Sequence, residues 1–190
     1  MPNIYIISGC NGAGKTTASF TVLPEMLDCD VFINADEIAK GLSPLNPSKS
    51  AIEAGRLMLQ KINHLISRDQ DFAFETTLAT KSYASKIKKA RDAGYQITLV
   101  FFYLESQDLA IERVKSRVSE GGHDIPENVI RRRYNAGIKN LFDIYIPLSH
   151  YWMIFDNSNV PTNFIAEGYS SEEIDVLNNR IFEEIKRKYK

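Results

Sequence analysis

The chain has 190 residues, of which 44% are hydrophobic, and its 23 lysine and arginine residues nearly balance 24 aspartate and glutamate residues. That length allows one well-buried core and is short for two, so we expect a single domain over residues 1–190. The formal net charge of −1 excludes a protein-wide field that would attract nucleic acid or an anionic membrane surface. We therefore expect a nucleotide-sized ligand, and no nucleic acid and no membrane among the partners.

Two cysteines, Cys10 and Cys29, are too few for a disulfide framework. The N-terminus carries no secretion-signal pattern, and no apolar run reaches the roughly 18 residues of a membrane-spanning helix. These observations predict a protein of the reducing cytoplasm.

Short β-rich apolar runs alternate with longer helical patterns, which is typical of parallel βαβ units and predicts an α/β fold. The fourth run is nearly continuous in apolar residues, so we expect it to be a central strand beside the first. The C-terminal segment Ser171–Lys190 predicts one amphipathic helix with Ile174, Leu177, Ile181 and Ile185 facing inward. The predicted strands are Ile4–Ser8, Val31–Asn34, Asp71–Glu75, Ile97–Leu104 and Trp152–Phe155.

The first predicted strand leads directly into a segment that fits the pattern G-x-x-x-x-G-K-[ST]. Its glycines let the backbone bend around an anion, so that N–H groups and the next helix N-terminus point at phosphates. We expect Lys15 to reach the β and γ phosphates and the hydroxyl of Thr16 to bind Mg²⁺. The motif predicts ATP and Mg²⁺ as cofactors, bound by Gly9, Cys10, Asn11, Gly12, Ala13, Gly14, Lys15, Thr16 and Thr17.

Asp36 follows the second predicted strand, and ligands of open α/β sheets gather at the carboxyl ends of the strands. A carboxylate there is placed to accept the proton of a hydroxyl that attacks the γ-phosphate. The alternative is that Asp36 caps the following helix, and both roles are compatible.

Glu75 ends the third predicted strand and is followed by Thr76 and Thr77. The position favours binding of Mg²⁺ through water or a hydrogen bond to substrate, and the sequence leaves both open beside a plain capping role. Thr76 and Thr77 are weaker candidates for polar contacts with substrate.

Arginines lie on both sides of a glycine-containing turn: Arg113 and Arg117 precede it, and Arg131, Arg132 and Arg133 follow it. Forked donors stabilise the charge that develops on a transferred phosphoryl group. We therefore predict a lid over residues 118–126, hinged at its glycines, whose closure brings arginines onto the phosphates. His123 in this turn favours a hydrogen-bonding role, and the three histidines have no metal-site spacing.

Taken together, several blocks in this order resemble the small zeta-toxin-like kinases of bacteria. The likeness covers most of the chain and is carried by residues 9–17, Asn34-Ala35-Asp36-Glu37-Ile38-Ala39, Phe74-Glu75-Thr76-Thr77-Leu78, residues 117–126, Arg131-Arg132-Arg133-Tyr134 and Phe155-Asp156-Asn157-Ser158.

The resemblance implies a three-layer P-loop kinase fold with a five-stranded parallel sheet in the order 2-3-1-4-5 and helices on both faces. It implies Asp36 as catalytic base, Lys15 as phosphate lysine, Thr16 as magnesium ligand, and Arg117 with one of the three consecutive arginines as a phosphate-binding pair. We take Arg132 as the second member, although the sequence alone does not decide among the three. Zeta toxins phosphorylate a hydroxyl of UDP-N-acetylglucosamine and are held inactive by an antitoxin, so the resemblance also implies a nucleotide-sugar acceptor and an antitoxin partner.

The predicted function is an ATP-dependent kinase acting on a hydroxyl of a small molecule. A GTPase is disfavoured because the chain contains neither D-x-x-G nor N-K-x-D. The alternative from another class is a nucleotide-binding regulator without enzymatic activity.

Overall fold

The computed structural model describes residues 1–26, 28–122, 124–170 and 173–189. The strands are β1 (Asn3–Gly9), β2 (Phe32–Ile33), β3 (Phe72–Thr76), β4 (Gln96–Tyr103), β5 (Tyr151–Asp156), β6 (Asn163–Tyr169) and β7 (Glu173–Val176). The α-helices are α1 (Lys15–Met26), α2 (Ala35–Leu42), α3 (Ala51–Ile66), α4 (Ala84–Asp92), α5 (Gln107–Ser119), α6 (Glu127–Asn140), α7 (Ile146–Leu148) and α8 (Asn179–Tyr189). A 3-10 turn over Pro47–Ser50 precedes α3, and a π-helical turn over Leu141–Tyr145 follows α6.

The sheet has the strand order β2-β3-β1-β4-β5-β6-β7. Its first five strands are parallel and follow the predicted order 2-3-1-4-5, with β4 beside β1 as expected. Adjacent residues of β1 such as Ile6 and Ile7 are both buried, which indicates that helices and loops cover both faces of the central strands. The α/β fold with a largely parallel sheet is confirmed.

The prediction of five strands was incomplete, because the described sheet has seven. Strands β6 and β7 add an antiparallel hairpin beside β5. Ile165 and Ala166 of β6 are fully buried, so this hairpin contributes to the same core as the parallel strands. Its short mixture of polar and apolar residues does not by itself distinguish a strand from a loop or a helix.

The single C-terminal helix predicted over Ser171–Lys190 was wrong in its first half, since residues 173–176 form β7 and α8 begins at Asn179. Leu177, predicted to face inward, is 63% exposed. Ile185 is buried and Ile181 packs partly buried against the core, as predicted. Phe182 lies with them on the apolar face of α8, and its ring stacks on that of Trp152 with centroids 6.3 Å apart. Ser171, Glu172 and Lys190 lie outside the described residues.

Cys10 and Cys29 are both buried and not joined in a disulfide. In the part of the chain that the structure describes, none of the helices is long and apolar enough to cross a membrane.

His150 ties the start of β5 to β4. Its backbone N–H donates to Ile97 O at 2.9 Å, and the N–H of Ile97 donates to His150 Nδ1 at 3.0 Å. Nδ1 can accept this hydrogen bond only in the neutral imidazole. Burial, with a smaller contribution from the charge of Arg91, lowers the pKa of His150 below its usual value of 6.5.

This lowered pKa predicts that the protein loses stability in mild acid. Above the unfolded pKa both states hold a neutral His150, whereas below about 6.5 the unfolded chain binds a proton that the folded protein resists. The free energy of unfolding should therefore decrease as pH falls toward the folded pKa, measured by urea unfolding between about pH 8 and pH 5. His150→Gln should weaken this dependence, while His64→Gln, at an exposed position, should retain it; equal slopes for all three proteins would contradict the prediction.

Candidate active site

The loop between β1 and α1, called the phosphate loop here after its sequence motif, has backbone angles that favour glycine at three positions. Gly9, Gly12 and Gly14 have φ angles of +142°, +81° and +77°, in a region that other residues rarely adopt. A Cβ atom at Gly9 would lie 2.3 Å from the carbonyl oxygen of Phe102, so the loop passes directly against β4. The helix α1 begins at Lys15, so its first N–H groups lack partners within the helix and can bind an anion.

Asn157, which follows β5, also contacts the loop. Its Nδ2 donates to Ala13 O at 2.9 Å, and its Oδ1 accepts from Thr162 Oγ1 at 2.6 Å. Sequence reasoning assigned Asn157 no role at the site. The position at the carboxyl end of a predicted strand was the available signal.

Cys10 contributes to the shape of the loop rather than to its chemistry. Its side chain is buried, and burial raises the pKa of the thiol to about 11, although the charge of Lys15 acts in the opposite direction. The thiol is therefore neutral near pH 7 and unsuited to act as a nucleophile.

The carboxylate of Glu75 is the centre of a buried polar network. Oε2 accepts from Thr16 Oγ1 at 2.7 Å and from Asn34 Nδ2 at 2.8 Å, and Oε1 lies 3.4 Å from Lys15 Nζ. Lys15 Nζ also donates to Cys10 O at 2.9 Å. The side chains of Lys15 and Glu75 are only 6% and 11% exposed, so each charge is compensated by the other.

Asn34, which the sequence analysis did not select, caps α2. Its Oδ1 accepts from the backbone N–H of Asp36 at 2.8 Å, while its Nδ2 binds Glu75. The alternative of Asp36 as the helix cap was therefore wrong, because the cap is Asn34 and Asp36 lies in the first turn. Asp36 is exposed, and its carboxylate is available for other contacts. An Asn just before a helix at the end of a strand was the signal that could have identified Asn34.

Two cavities share Lys15 and Glu75, and a third, of about 340 Å³, adjoins them at Thr16, Asn34 and Asp36. The smaller cavity, of about 170 Å³, is lined by the phosphate loop together with Thr16, Thr17, Arg113 and Arg117. The larger cavity, of about 420 Å³, is lined by Thr76, Thr77, Thr80, Tyr83, Arg132 and Arg133 among others. Four residues line both cavities: Asn11, Lys15, Asp36 and Glu75. The arrangement can hold two ligands whose reacting ends meet beside a lysine and two carboxylates.

The three consecutive arginines point in different directions. Arg131 forms an ion pair with Asp108 at 2.7 Å and lines neither cavity, whereas Arg132 and Arg133 both line the larger one. Arg133 NH1 donates to Asn11 Oδ1 at 3.3 Å and so reaches the phosphate loop. Burial lowers the pKa of Arg133, and the negative charge of Asp36 opposes that shift. Arg133 is thus a second candidate, in addition to Arg132, for contact with phosphate.

Arg117 lies at the end of α5, where two glycines close the helix. Gly121 adopts φ +89°, and the N–H of Gly122 donates to Arg117 O at 2.8 Å, as in a Schellman motif. A Cβ atom at Gly122 would lie 2.7 Å from Arg117 Cγ, so the backbone packs on the stem of this arginine.

These glycines therefore end a helix, which the hinge prediction did not anticipate. Ile125, beyond the turn, is buried in the core. His123 of the predicted lid over residues 118–126 lies outside the described residues, and the closure of the lid stays a prediction.

The oxygen atoms around Thr16 fit Mg²⁺ better than a transition metal. Among the described residues, no three His, Cys, Asp or Glu side chains form a metal-binding group. Mg²⁺ needs no such group, since it uses one or two protein oxygens together with water and phosphate oxygens. The Thr16 hydroxyl and the Glu75 carboxylate, 2.7 Å apart, offer oxygens of this kind.

The contact between Gly9 and Phe102 predicts that Gly9→Ala is strongly destabilising. The added Cβ meets a backbone oxygen at a φ angle that alanine disfavours, so the free energy of unfolding should fall by about 2–4 kcal/mol in urea unfolding. Gly55→Ala is the matched control, because Gly55 lies inside α3 with no atom within 4 Å of a built Cβ. The control should gain about 0.5–1 kcal/mol, and a Gly9→Ala protein as stable as this control would contradict the packing argument.

Several known proteins resemble this chain in sequence or in structure. A protein of Haemophilus influenzae that is described as uncharacterized is 32% identical over 127 residues, which cover 66% of this chain and 88% of that protein. A chain of the AvrRxo1-ORF1:-ORF2 structure with ATP superposes with a TM-score of 0.77 at 18% identity, over 97% of this chain and 63% of that chain. This chain therefore spans less than two thirds of that structure's length.

A chain from the PezAT chromosomal toxin–antitoxin system of Streptococcus pneumoniae gives a TM-score of 0.68 at 16% identity, over 98% of this chain and 84% of that chain. Both structural likenesses show that these chains share one fold. The sequence profile of the Zeta toxin family matches residues 1–161. The chain belongs to the Zeta toxin family.

Proposed function

We propose that this protein is an ATP-dependent kinase that transfers the γ-phosphoryl group to a hydroxyl of a small molecule. The observation that carries the proposal is the pair of cavities that share Lys15, Asp36 and Glu75. A kinase needs such a pair, because donor and acceptor must be held in line with the transferred group between them. The family match and the ATP in a structure of the same fold support the assignment of the donor.

The smaller cavity is the proposed ATP site. The backbone N–H groups of the loop and the N-terminus of α1 bind the phosphates, and Lys15 supplies a positive charge at the β and γ phosphates. The hydroxyl of Thr16 binds Mg²⁺, with Glu75 holding that hydroxyl in place. When bound, Mg²⁺ neutralises charge on the phosphate oxygens. The proposed nucleotide-binding residues are Gly9, Cys10, Asn11, Gly12, Ala13, Gly14, Lys15, Thr16 and Thr17.

In the transfer step, the carboxylate of Asp36 accepts the proton of the acceptor hydroxyl. The hydroxyl oxygen forms a bond to the γ-phosphorus, and the bond from that phosphorus to the β–γ bridging oxygen breaks. The electron pair of the broken bond leaves with ADP. Lys15, Arg117 and Arg132 stabilise the charge on the transferred group, and Arg133 is placed for the same task.

The larger cavity is the proposed acceptor site. Thr76, Thr77 and Thr80 offer hydroxyls, Tyr83 offers an aromatic surface, and Arg132 and Arg133 offer positive charge. This lining suits a polar molecule that carries hydroxyls and its own negative charge. A nucleotide sugar, the acceptor implied by the family, has these properties.

An antitoxin is the proposed protein partner. The AvrRxo1-ORF1:-ORF2 structure is a two-component complex, and PezAT is a toxin–antitoxin system. Membership of the Zeta toxin family supports a partner of this kind for the present chain.

The experiment measures the formation of ADP from ATP in the presence of Mg²⁺, with and without a candidate acceptor. UDP-N-acetylglucosamine is the first acceptor to test and a metabolite extract the second, with Lys15→Ala as the inactive control. Acceptor-dependent ADP release and a phosphorylated product are expected. ATP binding with no acceptor dependence in either test would favour the nucleotide-binding regulator.

Asp36→Asn tests the proposed base. The amide cannot accept the acceptor's proton, so transfer should fall by orders of magnitude while the ATP dissociation constant stays within roughly tenfold, about 1.4 kcal/mol. Glu53→Gln is the matched control, because Glu53 is likewise an exposed acid in the first turn of a helix, α3. Turnover at the wild-type rate in Asp36→Asn, beside normal ATP binding in calorimetry, would direct the search for the base to Glu75.

Arg117→Ala tests the proposed role of Arg117 in stabilising the charge on the transferred phosphoryl group. Because Arg117 lines the ATP-side cavity, its loss should lower the transfer rate by roughly 10³, with a smaller loss of ATP affinity. Arg131→Ala removes an arginine that is paired with Asp108 outside both cavities and should transfer at the wild-type rate. Equal rates for the two variants in single-turnover assays would leave Arg117 without a role in catalysis.

A further inference from the structure

We propose that Asn140 and Tyr145 are positioning residues that hold the acceptor-side loop, defined as residues Thr77–Thr80, at a set distance from the arginines of α6. This inference rests on the proposed function, because the loop lines the cavity assigned to the acceptor. It adds a role to two side chains that line neither of the cavities that meet at the site.

The loop is held in a conformation that its own sequence disfavours. Leu78 has a φ angle of +57° and no exposed surface. A bulky residue without a glycine's freedom adopts this left-handed region only where the surroundings hold it there. The N–H of Leu78 donates to Thr76 Oγ1 at 3.1 Å, which is the local part of that restraint.

The rest of the restraint comes from α6 and the π-helical turn, across a long distance in sequence. Asn140 Nδ2 donates to Leu78 O at 2.7 Å, and Tyr145 OH donates to Thr80 O at 2.7 Å. A Cβ atom at Gly137 would lie 2.5 Å from Thr77 O, so the helix backbone contacts the loop backbone directly. Three of the four loop carbonyls are thus in contact with this one continuous helical segment.

The π-helical turn explains how both donors face the loop. Asn140 is the last residue of α6, and the N–H of Ile146 donates to Leu141 O across five residues. This wider turn aligns side chains five positions apart, whereas an α-helix aligns those three or four apart. Asn140 and Tyr145 therefore lie on one face, and both are buried, so that water does not compete for their hydrogen bonds.

The same face of α6 carries residues of the larger cavity. Arg132, Arg133 and Ala136 line that cavity one turn before Gly137 and Asn140. The contacts of Asn140 and Tyr145 therefore connect the cavity wall that carries the arginines to the wall that carries the threonines. An acceptor bound between them depends on this spacing, whereas ATP in the smaller cavity does not.

The test compares Tyr145→Phe and Asn140→Ala with the wild-type protein, using UDP-N-acetylglucosamine or the acceptor identified from the extract. Each variant should lower kcat/KM for the acceptor about tenfold, chiefly through a higher acceptor KM, with ATP affinity within about twofold. Tyr145→Phe keeps the ring in the core and removes only the hydroxyl, so it remains informative if Asn140→Ala is poorly folded. Hydrogen exchange at Leu78–Thr80 should become faster in both variants.

Asn135→Ala is the matched control, because Asn135 also lies on α6 and accepts a hydrogen bond from Gln107 on α5 at 2.7 Å. Its acceptor KM should equal that of the wild type. Wild-type transfer with an unchanged acceptor KM in Tyr145→Phe would overturn the positioning role alone. A wild-type protein without acceptor-dependent transfer would overturn the proposed function and this inference together.

Discussion

The arrangement of the site depends on the largely buried carboxylate of Glu75 and on the ion pair and hydrogen bonds that compensate its charge. A charge removed from water is costly unless it is paired and hydrogen-bonded. Here the compensation comes from Lys15 and Thr16 at the start of α1 and from Asn34 before α2. One acid near the end of β3 therefore fixes the start of α1 and the start of α2. Its charge is fully compensated only when both helices are in place.

Asn34 extends this network to the proposed base. Its amide nitrogen binds Glu75 and its amide oxygen caps α2, so the first turn of α2 has a defined position relative to the phosphate loop. Asp36 in that turn is exposed and lines both cavities. An acid that must exchange protons with a substrate is suited to such a position, because its backbone is held while its carboxylate is accessible.

The helix α6 connects the two halves of the site. Arg133 reaches Asn11 in the phosphate loop, while Gly137 and Asn140 contact the loop after β3. The helix and the π-helical turn after it thus contact the walls of the donor and acceptor cavities. Separate contacts of this one element therefore hold the two sides: Arg133 contacts Asn11 on the donor side, and Gly137 and Asn140 contact the loop on the acceptor side.

The sequence by itself determined the phosphate loop, the parallel strands β1 to β5 and the clustering of Lys15, Thr16, Asp36 and Glu75. These features depend on local patterns: fixed glycine spacing, apolar runs, and polar residues at strand ends that a parallel sheet brings to one edge. The tertiary structure decided that Asn34 rather than Asp36 caps α2, that Arg133 contacts the loop, and that Asn140 and Tyr145 hold the segment after β3. It also decided that residues 173–176 pair with β6 instead of continuing α8. The contacts of Arg133, Asn140 and Tyr145 are with partners distant in sequence, and the energy of such contacts is not encoded in the spacing of neighbouring residues. The cap of Asn34 and the pairing of β6 with β7 are close in sequence, but the local pattern admits alternatives that only the packed structure distinguishes.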